Sequence, residues 1–377
     1  MPLLSLITPL TADQARSAYD SLSGDSLLAQ ANMAAISSRR FTHLLSQRSS
    51  RLGLASRGNR SESMENSLSA VREGRLPEAP IALAKGVSPQ HYDGPTSVVE
   101  GVWVEASAFT FTENGDSVIG SAESDSSGKL FALGADGYWA DNIIVGFGLG
   151  QLQSDISFGN RQASGEGSGT FAGIYSRIES RSGWHYKVAL AMGQQDTDQK
   201  RTVTVGATTP QAQSTASIDS LSAGIEAGLA LHLGSYGMRP YAMLDMQTLK
   251  RSAFQETGAG AANLGVAATT NQMGEFGVGI ELSRPWLTDG ARWAQLQTGV
   301  ALVVPFGDTQ REQSLGFSGT ASQYRVKATA VDTPSLQLTV GGEWYFTPAL
   351  ALWGGYEGRV SSASQEHNGV ISIQYRW

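Results

Sequence analysis

The sequence predicts an all-β membrane protein: a closed antiparallel transmembrane β-barrel of about 12 strands, preceded by a helical segment. Three observations lead there. From Val99 onward, apolar and polar residues alternate in segments of about ten residues or more, enough to cross a bilayer at a tilt. The polar member of each alternation is small or ionisable, unlike the Lys-, Glu- and Thr-rich exterior of a soluble barrel. Tryptophan and tyrosine gather near segment ends, where aromatic girdles mark the two membrane interfaces.

Composition agrees. Of 377 residues 41% are hydrophobic and only 16% charged, against about 25% charged in a typical soluble domain. The net charge of −7 and the lack of a basic stripe argue against nucleic acid as a partner. With no cysteine there is no disulfide framework and no thiolate metal site. A cysteine-free chain also suits export in the unfolded state through an oxidising compartment. No stretch reaches the roughly 18 apolar residues of a membrane-spanning helix. The opening "MPLLSLITPL" lacks a basic n-region, so any export signal is expected upstream of it.

Three regions follow in order. Residues 1–53 are helical: Thr11 caps "TADQARSAYDSL", Ser23-Gly24 breaks it, and "DSLLAQANMAAISSRRFTHLLSQRSSRL" continues. The second helix carries Asp25 at its start and Arg48 and Arg51 at its end, matching the helix dipole. Residues 54–98, rich in Ser, Gly, Arg, Glu and Pro, form a flexible linker. Residues 99–377 hold the alternating segments, near 100–112, 127–140, 143–157, 167–180, 183–196, 216–234, 237–252, 271–284, 291–305, 334–346, 349–361 and 369–377. Between them, "TPA" and "GSYG" are tight turns, whereas "QETGAGAANLGVAATT" and "GDTQREQSLGFSGTASQYRVKATAVDT" are long loops. Short turns on one side and long loops on the other are the expected asymmetry of such barrels.

The faces decide the surroundings. The apolar face looks outward at lipid, with Trp103, Tyr138, Trp139, Trp184, Tyr241, Trp293, Trp344, Tyr375 and Trp377 as girdle candidates. The other face points Glu105, Asp136, Arg177, Lys187, Glu226, Asp245, Glu275, Glu281, Glu343, Glu357, Arg359 and Arg376 into a hydrated lumen. In a dry core unpaired charges of this kind would be prohibitive. Trp103, Tyr138 and Tyr241 share their parity with Glu105, Asp136 and Asp245, so a bulge resets those strands or the aromatics point inward. Lipid forbids open sheet edges, so the last strand must pair with the first. In "GVISIQYRW", Ile371, Ile373, Tyr375 and Trp377 share one face of that closing strand.

At this point the chain resembles the C-terminal translocator barrel of autotransporters, the type V secretion family of Gram-negative bacteria. The resemblance is carried by "GVWVEASAF", "GADGYWADNIIVGFGLG", "GTFAGIY", "GWHYKVALAMG", "LSAGIEAGLAL", "RPYAMLDM", "FQETGAGAANL" and the closing "GVISIQYRW", with "TADQARSAYDSLSG" ahead of them. It implies a barrel of 12 strands in the outer membrane, a helix threading its lumen, and an N-terminal passenger carried to the cell surface and anchored there. It also implies that the strand ending at Trp377 is the signal read by the outer-membrane barrel assembly machinery. The expected partners are therefore outer-membrane lipid and lipopolysaccharide, that machinery and the chain's own passenger, with the barrel a monomer. Little passenger precedes the helix, so it is expected to have been trimmed or cleaved away.

No catalytic site, metal site or cofactor is expected. The chain has no G-x-S-x-G, H-E-x-x-H or G-x-x-x-x-G-K, and its histidines (His43, His91, His185, His232, His367) lack ligand spacing. "GFGLG" at 146–150 lies within a strand, where small residues ease curvature. Some family members cleave the passenger at an asparagine in the lumen; Asn32 is on the helix here, where asparagine is usually inert. The helix is basic and many in-pointing residues are acidic. Arg39, Arg40, Arg48 and Arg51 are thus expected either to pair with carboxylates such as Glu226, Glu275, Glu281 and Glu343 or to meet water and loops. Two other functions remain open: a surface enzyme, such as an esterase or protease, whose active site lies in an absent passenger, and a porin- or adhesin-type barrel.

Overall fold

The computed structural model describes residues 10–51, 99–116, 118–140, 142–159, 161–180, 182–233, 236–288, 292–347 and 349–377. The linker expected over 54–98 lies outside them. Two helices open the chain: α1 over Ala12–Leu22 and α2 over Ala29–Arg51, joined by a 3-10 turn over Asp25–Leu28. Thr11 and Gln14 cap α1 reciprocally, each side chain bonding the other's backbone N–H. The break falls at Ser23-Gly24, where Gly24 has φ +70° and a Cβ would stand 2.5 Å from Leu264. Only glycine takes that backbone at so little cost.

Twelve long strands close the barrel. They are β1 Gly101–Glu113, β2 Ser124–Ala140, β3 Ile143–Phe158, β4 Ala163–Glu179, β5 Trp184–Thr202 and β6 Gln211–Leu229. After them come β7 Tyr236–Arg251, β8 Thr269–Thr288, β9 Arg292–Gly307, β10 Ser335–Tyr345, β11 Leu350–Val360 and β12 Ser364–Arg376. Each pairs antiparallel with its sequence neighbours, and β12 pairs with β1 from Gly101↔Arg376 to Glu113↔Ser364. No edge is left in the ring, as hydrocarbon requires.

The alternation has the sense expected for lipid. Along β1, Trp103, Glu105, Phe109 and Phe111 are buried inside, whereas Val102 and Val104 are each 44% exposed on the outer wall. Phe131, Leu133, Phe147, Leu149, Leu190, Phe276, Val278, Leu336 and Leu338 continue that outer apolar band. Trp103 and Tyr138 are buried inside the barrel, and Tyr241 packs on the luminal Met243 cluster. These three are therefore not girdle residues. No bulge is needed at Trp103, whose indole Nε1 has a luminal acceptor in the Tyr175 hydroxyl at 3.0 Å. A register irregularity does occur between Tyr138 and Ala140, just beyond the inward Tyr138. The side chain of Trp293 lies outside the described residues.

The two ends differ. At one end few residues separate consecutive strands (β2 from β3, β4 from β5, β6 from β7, β8 from β9 and β10 from β11), while connections at 203–210, 252–268 and 308–334 are long. The two longest loops are not irregular. Short strands Phe254–Gln255, Leu264–Val266, Glu312–Phe317 and Tyr324–Lys327 build a separate four-stranded sheet over the loop end. Runs this short carry too few alternations to be legible in the sequence. Leu264, Val266 and Leu315 of that sheet bury Leu27, and Ala18 and Leu22 of α1 pack on Val203, Val205, Ala259 and Ala262. The chain thus enters the barrel through a packed cap.

Candidate functional site

The candidate site is α2 and the charged wall it meets. Its small and apolar residues lie against β2–β7. Ala34 and Ala35 pack on Ile218 and Leu249, and Phe41 stacks on Phe171 with ring centroids 5.3 Å apart. Thr42 Oγ1 lies 2.5 Å from Ser222 Oγ, and Gln195 Nε2 donates to the Ala34 carbonyl at 3.2 Å. Glycine makes this approach possible. A Cβ on Gly150 would stand 2.7 Å from Phe41, on Gly148 2.8 Å from Leu45, and on Gly173 2.5 Å from Leu45. The glycines of "GFGLG" therefore make room for the helix and for luminal aromatics, a different use from the curvature expected. Gly150→Val should cost about 1–3 kcal/mol by overpacking against Phe41, read as a lowered unfolding midpoint in detergent; an unchanged midpoint would show that the helix is not seated there.

The opposite side of α2 reaches the wall through long charged side chains. Arg39 donates to Glu275 Oε1 at 2.7 Å and to Glu366 Oε2 at 2.6 Å. Arg40 donates to Glu366 Oε1 at 2.7 Å and to Glu357 Oε1 at 2.6 Å. Glu357 Oε2 also takes Gln47 Nε2 at 3.2 Å and faces His43 Nδ1 at 3.4 Å. Residues 40, 43 and 47 form one helical stripe, which is why one carboxylate can meet all three. From the wall, Arg359 holds both Glu275 oxygens at 2.7 and 2.9 Å. Three guanidinium groups and three carboxylates thus neutralise one another between α2, β8, β11 and β12.

Nearer the turn end, Asp136 of β2 gathers a second knot. Arg48 Nε donates to Asp136 Oδ2 at 3.1 Å, the Tyr175 hydroxyl to the same oxygen at 2.8 Å, and Arg376 Nη2 to Oδ1 at 3.3 Å. Trp103 Nε1 then donates to the Tyr175 oxygen, and the Arg48 guanidinium lies 5.7 Å from the Trp103 ring centroid. One carboxylate therefore joins the helix, the second strand and the closing strand.

Glu105 is buried inside β1. Lys187 pairs with Glu226 at 2.8 Å, and Arg239 bridges Glu226 at 3.2 Å and Glu281 at 2.6 Å. Arg177 pairs with Glu179, Glu343 accepts from Gln374 at 2.8 Å, and Asp245 lies beside Gly224 inside the wall. Of the four carboxylates expected for the helix, it takes Glu275. Glu226 and Glu281 are occupied by Lys187 and Arg239, while Glu343 accepts from Gln374 of the wall. The side chain of Arg51 lies outside the described residues. Glu366 and Glu113, which the sequence reading omitted, face inward one to three residues beyond the expected strand ends. Asn32 donates its side-chain amide to Glu113. Ile371, Ile373, Tyr375 and Trp377 lie on the outer face of the barrel, each about half exposed.

No match was found among curated proteins. Among solved structures, the translocator domain of autotransporter NalP from Neisseria meningitidis is similar at 18% identity and TM-score 0.60, over 76% of this chain and 91% of that one. The beta domain of the Bordetella autotransporter BrkA is similar at 15% identity and TM-score 0.55, over 74% of this chain and 100% of that one. Both likenesses establish the barrel fold. The model of the autotransporter beta-domain family matches residues 102–357, and the chain belongs to that family, as an outer-membrane translocator barrel of a Gram-negative bacterium linked to an N-terminal passenger.

Proposed function

We propose that this barrel holds its exported N-terminal segment in the lumen as a permanent anchor and seal, with no chemistry of its own. In this reading residues 1–53 comprise the passenger remnant and pore helix, 54–98 the linker, and 99–377 the barrel unit. One observation carries it: α2 runs from the cap at the loop end to Asp136 near the turn end, ion-paired along its length to β2, β8, β11 and β12. Long loops face outward and short turns inward in such barrels, so α1 lies at the cell surface. The partners on this view are outer-membrane lipid and lipopolysaccharide on the apolar band, and the assembly machinery at Ile371, Ile373, Tyr375 and Trp377. Closure of the sheet within one chain supports a monomer.

The test is topological. An epitope placed ahead of Ala12 in the full gene product should be stripped by protease added to intact cells, while one in the 346–349 turn should survive until the outer membrane is opened. The reverse pattern overturns the orientation and with it the anchoring role.

A further inference from the structure

The junction between α1 and α2 is gripped at the loop end mostly by its main chain. A helix leaves its last carbonyls without intrahelical partners. Here the Ser23 hydroxyl donates to the Asp20 carbonyl at 2.8 Å, and Arg201 Nη1 donates to that of Ser21. The Tyr324 hydroxyl lies 3.1 and 3.2 Å from the Leu22 and Ser23 carbonyls, which share its proton. Beyond the break, Arg251 Nη1 donates to the Leu27 carbonyl at 3.0 Å. The barrel thus supplies the donors for Ser21, Leu22, Ser23 and Leu27.

Those donors are buried and held in place. Arg201 is fixed by Glu256, whose oxygens take Nε at 3.0 Å and Nη2 at 2.5 Å. Arg251 is 3% exposed and makes no ion pair among the described residues; its acceptors are the Leu27 carbonyl and the Gln313 side chain. Burying a cation against neutral acceptors alone is costly, and withdrawing the Leu27 carbonyl would leave a further donor unmet. Side chains add a second hold. Arg161 meets Asp25 at 3.2 Å and Asp20 at 3.6 Å, and Ser21 Oγ exchanges two bonds with the Thr204 backbone, each of 3.1 Å.

One register of the chain fits this grip. Gly24 is the sole glycine between residues 10 and 52, and a Cβ there would stand 2.5 Å from Leu264 and 3.0 Å from Leu315 on a backbone of positive φ. The uninterrupted helix α2 offers no comparable main-chain feature. We propose that the loop end is a stop site for the exported chain: it binds a helix end followed by glycine, through Arg201, Tyr324 and Arg251, and so fixes how far the segment emerges. The stop site rests on the orientation proposed above, with α1 at the cell surface.

The chain has no cysteine, so Ser38→Cys with Ser222→Cys, whose native oxygens are 3.3 Å apart, reports the seating of α2 by oxidative cross-linking. In the full chain, folded in the outer membrane of cells, the pair should cross-link; its failure there overturns the seating and the stop site alike. Adding Gly24→Val should lower the yield several-fold, because the chain no longer halts with residue 24 at the break. Peeling of α1 from the cap alone would leave the yield unchanged, and an unchanged yield overturns the stop site. Should Gly24→Val give no heat-modifiable folded band, Arg251→Gln with Tyr324→Phe decides: a several-fold lower yield supports the site and an unchanged one overturns it. Orientation is read separately, by Tyr19→Cys at an exposed position of α1, which should react with an impermeant maleimide on intact cells. An unreactive Tyr19→Cys overturns the orientation, and an outward stop with it, whatever the cross-link shows.

Discussion

Asp136→Ala lowers the unfolding free energy of the folded barrel by about 3–5 kcal/mol, the range for removing one partner of a buried ion pair. The carboxylate is 3% exposed and accepts from Arg48, Tyr175 and Arg376. Its loss removes the acceptor that two guanidinium groups and a phenol share inside the barrel. The large cost does not mean the intact knot is worth as much, because desolvating three charged groups has already consumed most of the attraction. Asp136→Asn should cost less, since an amide oxygen still accepts, though without charge. The measurement is the unfolding midpoint of the detergent-solubilised chain, followed by loss of the heat-modifiable folded band on gels. A second readout is specific to this knot. Because Arg376 lies on β12 and Asp136 on β2, separated by β1, the substitution should loosen the β12–β1 seam and raise amide exchange there above the rest of the ring. A loss of less than about 1 kcal/mol, the scale of exposed pairs, would mean that water inside the barrel already screens the knot.

How much of this was legible in the sequence depends on how local each signal is. The period-two alternation of β5 or β6 runs for 19 residues each, so strand identity and the inward parity of Lys187 or Glu226 could be read off directly. Partnership could not. Whether Glu226 meets a helix arginine or Lys187 is fixed by register, which sets Lys187 opposite Glu226 across β5 and β6; no composition argument contains that pairing. Boundaries were the other loss. β12 begins at Ser364, not near residue 369, and the missing residues hold Glu366, the carboxylate shared by Arg39 and Arg40. The inward Trp103 was ambiguous because an aromatic at a strand end satisfies a membrane girdle and a luminal hydrogen bond equally well until the strand's parity is fixed.

Arg39→Glu combined with Arg40→Glu opens the barrel: single-channel conductance in planar bilayers rises several-fold over the wild-type protein. In the wild type, Glu275, Glu357 and Glu366 each receive an arginine of α2 at 2.6–2.7 Å. The reversal sets five carboxylates facing one another across the same gap. Two like charges about 4 Å apart repel by about 4 kcal/mol at an effective dielectric of about 20. Several such contacts exceed what Ala34, Ala35 and Phe41 gain by packing on the far wall, so α2 tilts toward β3–β7 or leaves the lumen. Neutral Arg39→Gln with Arg40→Gln removes the attraction without adding repulsion and should give an intermediate conductance. Returning positive charge to the wall with Glu366→Arg in the double-Glu background should lower it again, an outcome that nonspecific damage does not produce. If the double reversal folds, as judged by its heat-modifiable band, and still conducts like the wild type, the ion pairs are bystanders and apolar packing alone seals the pore.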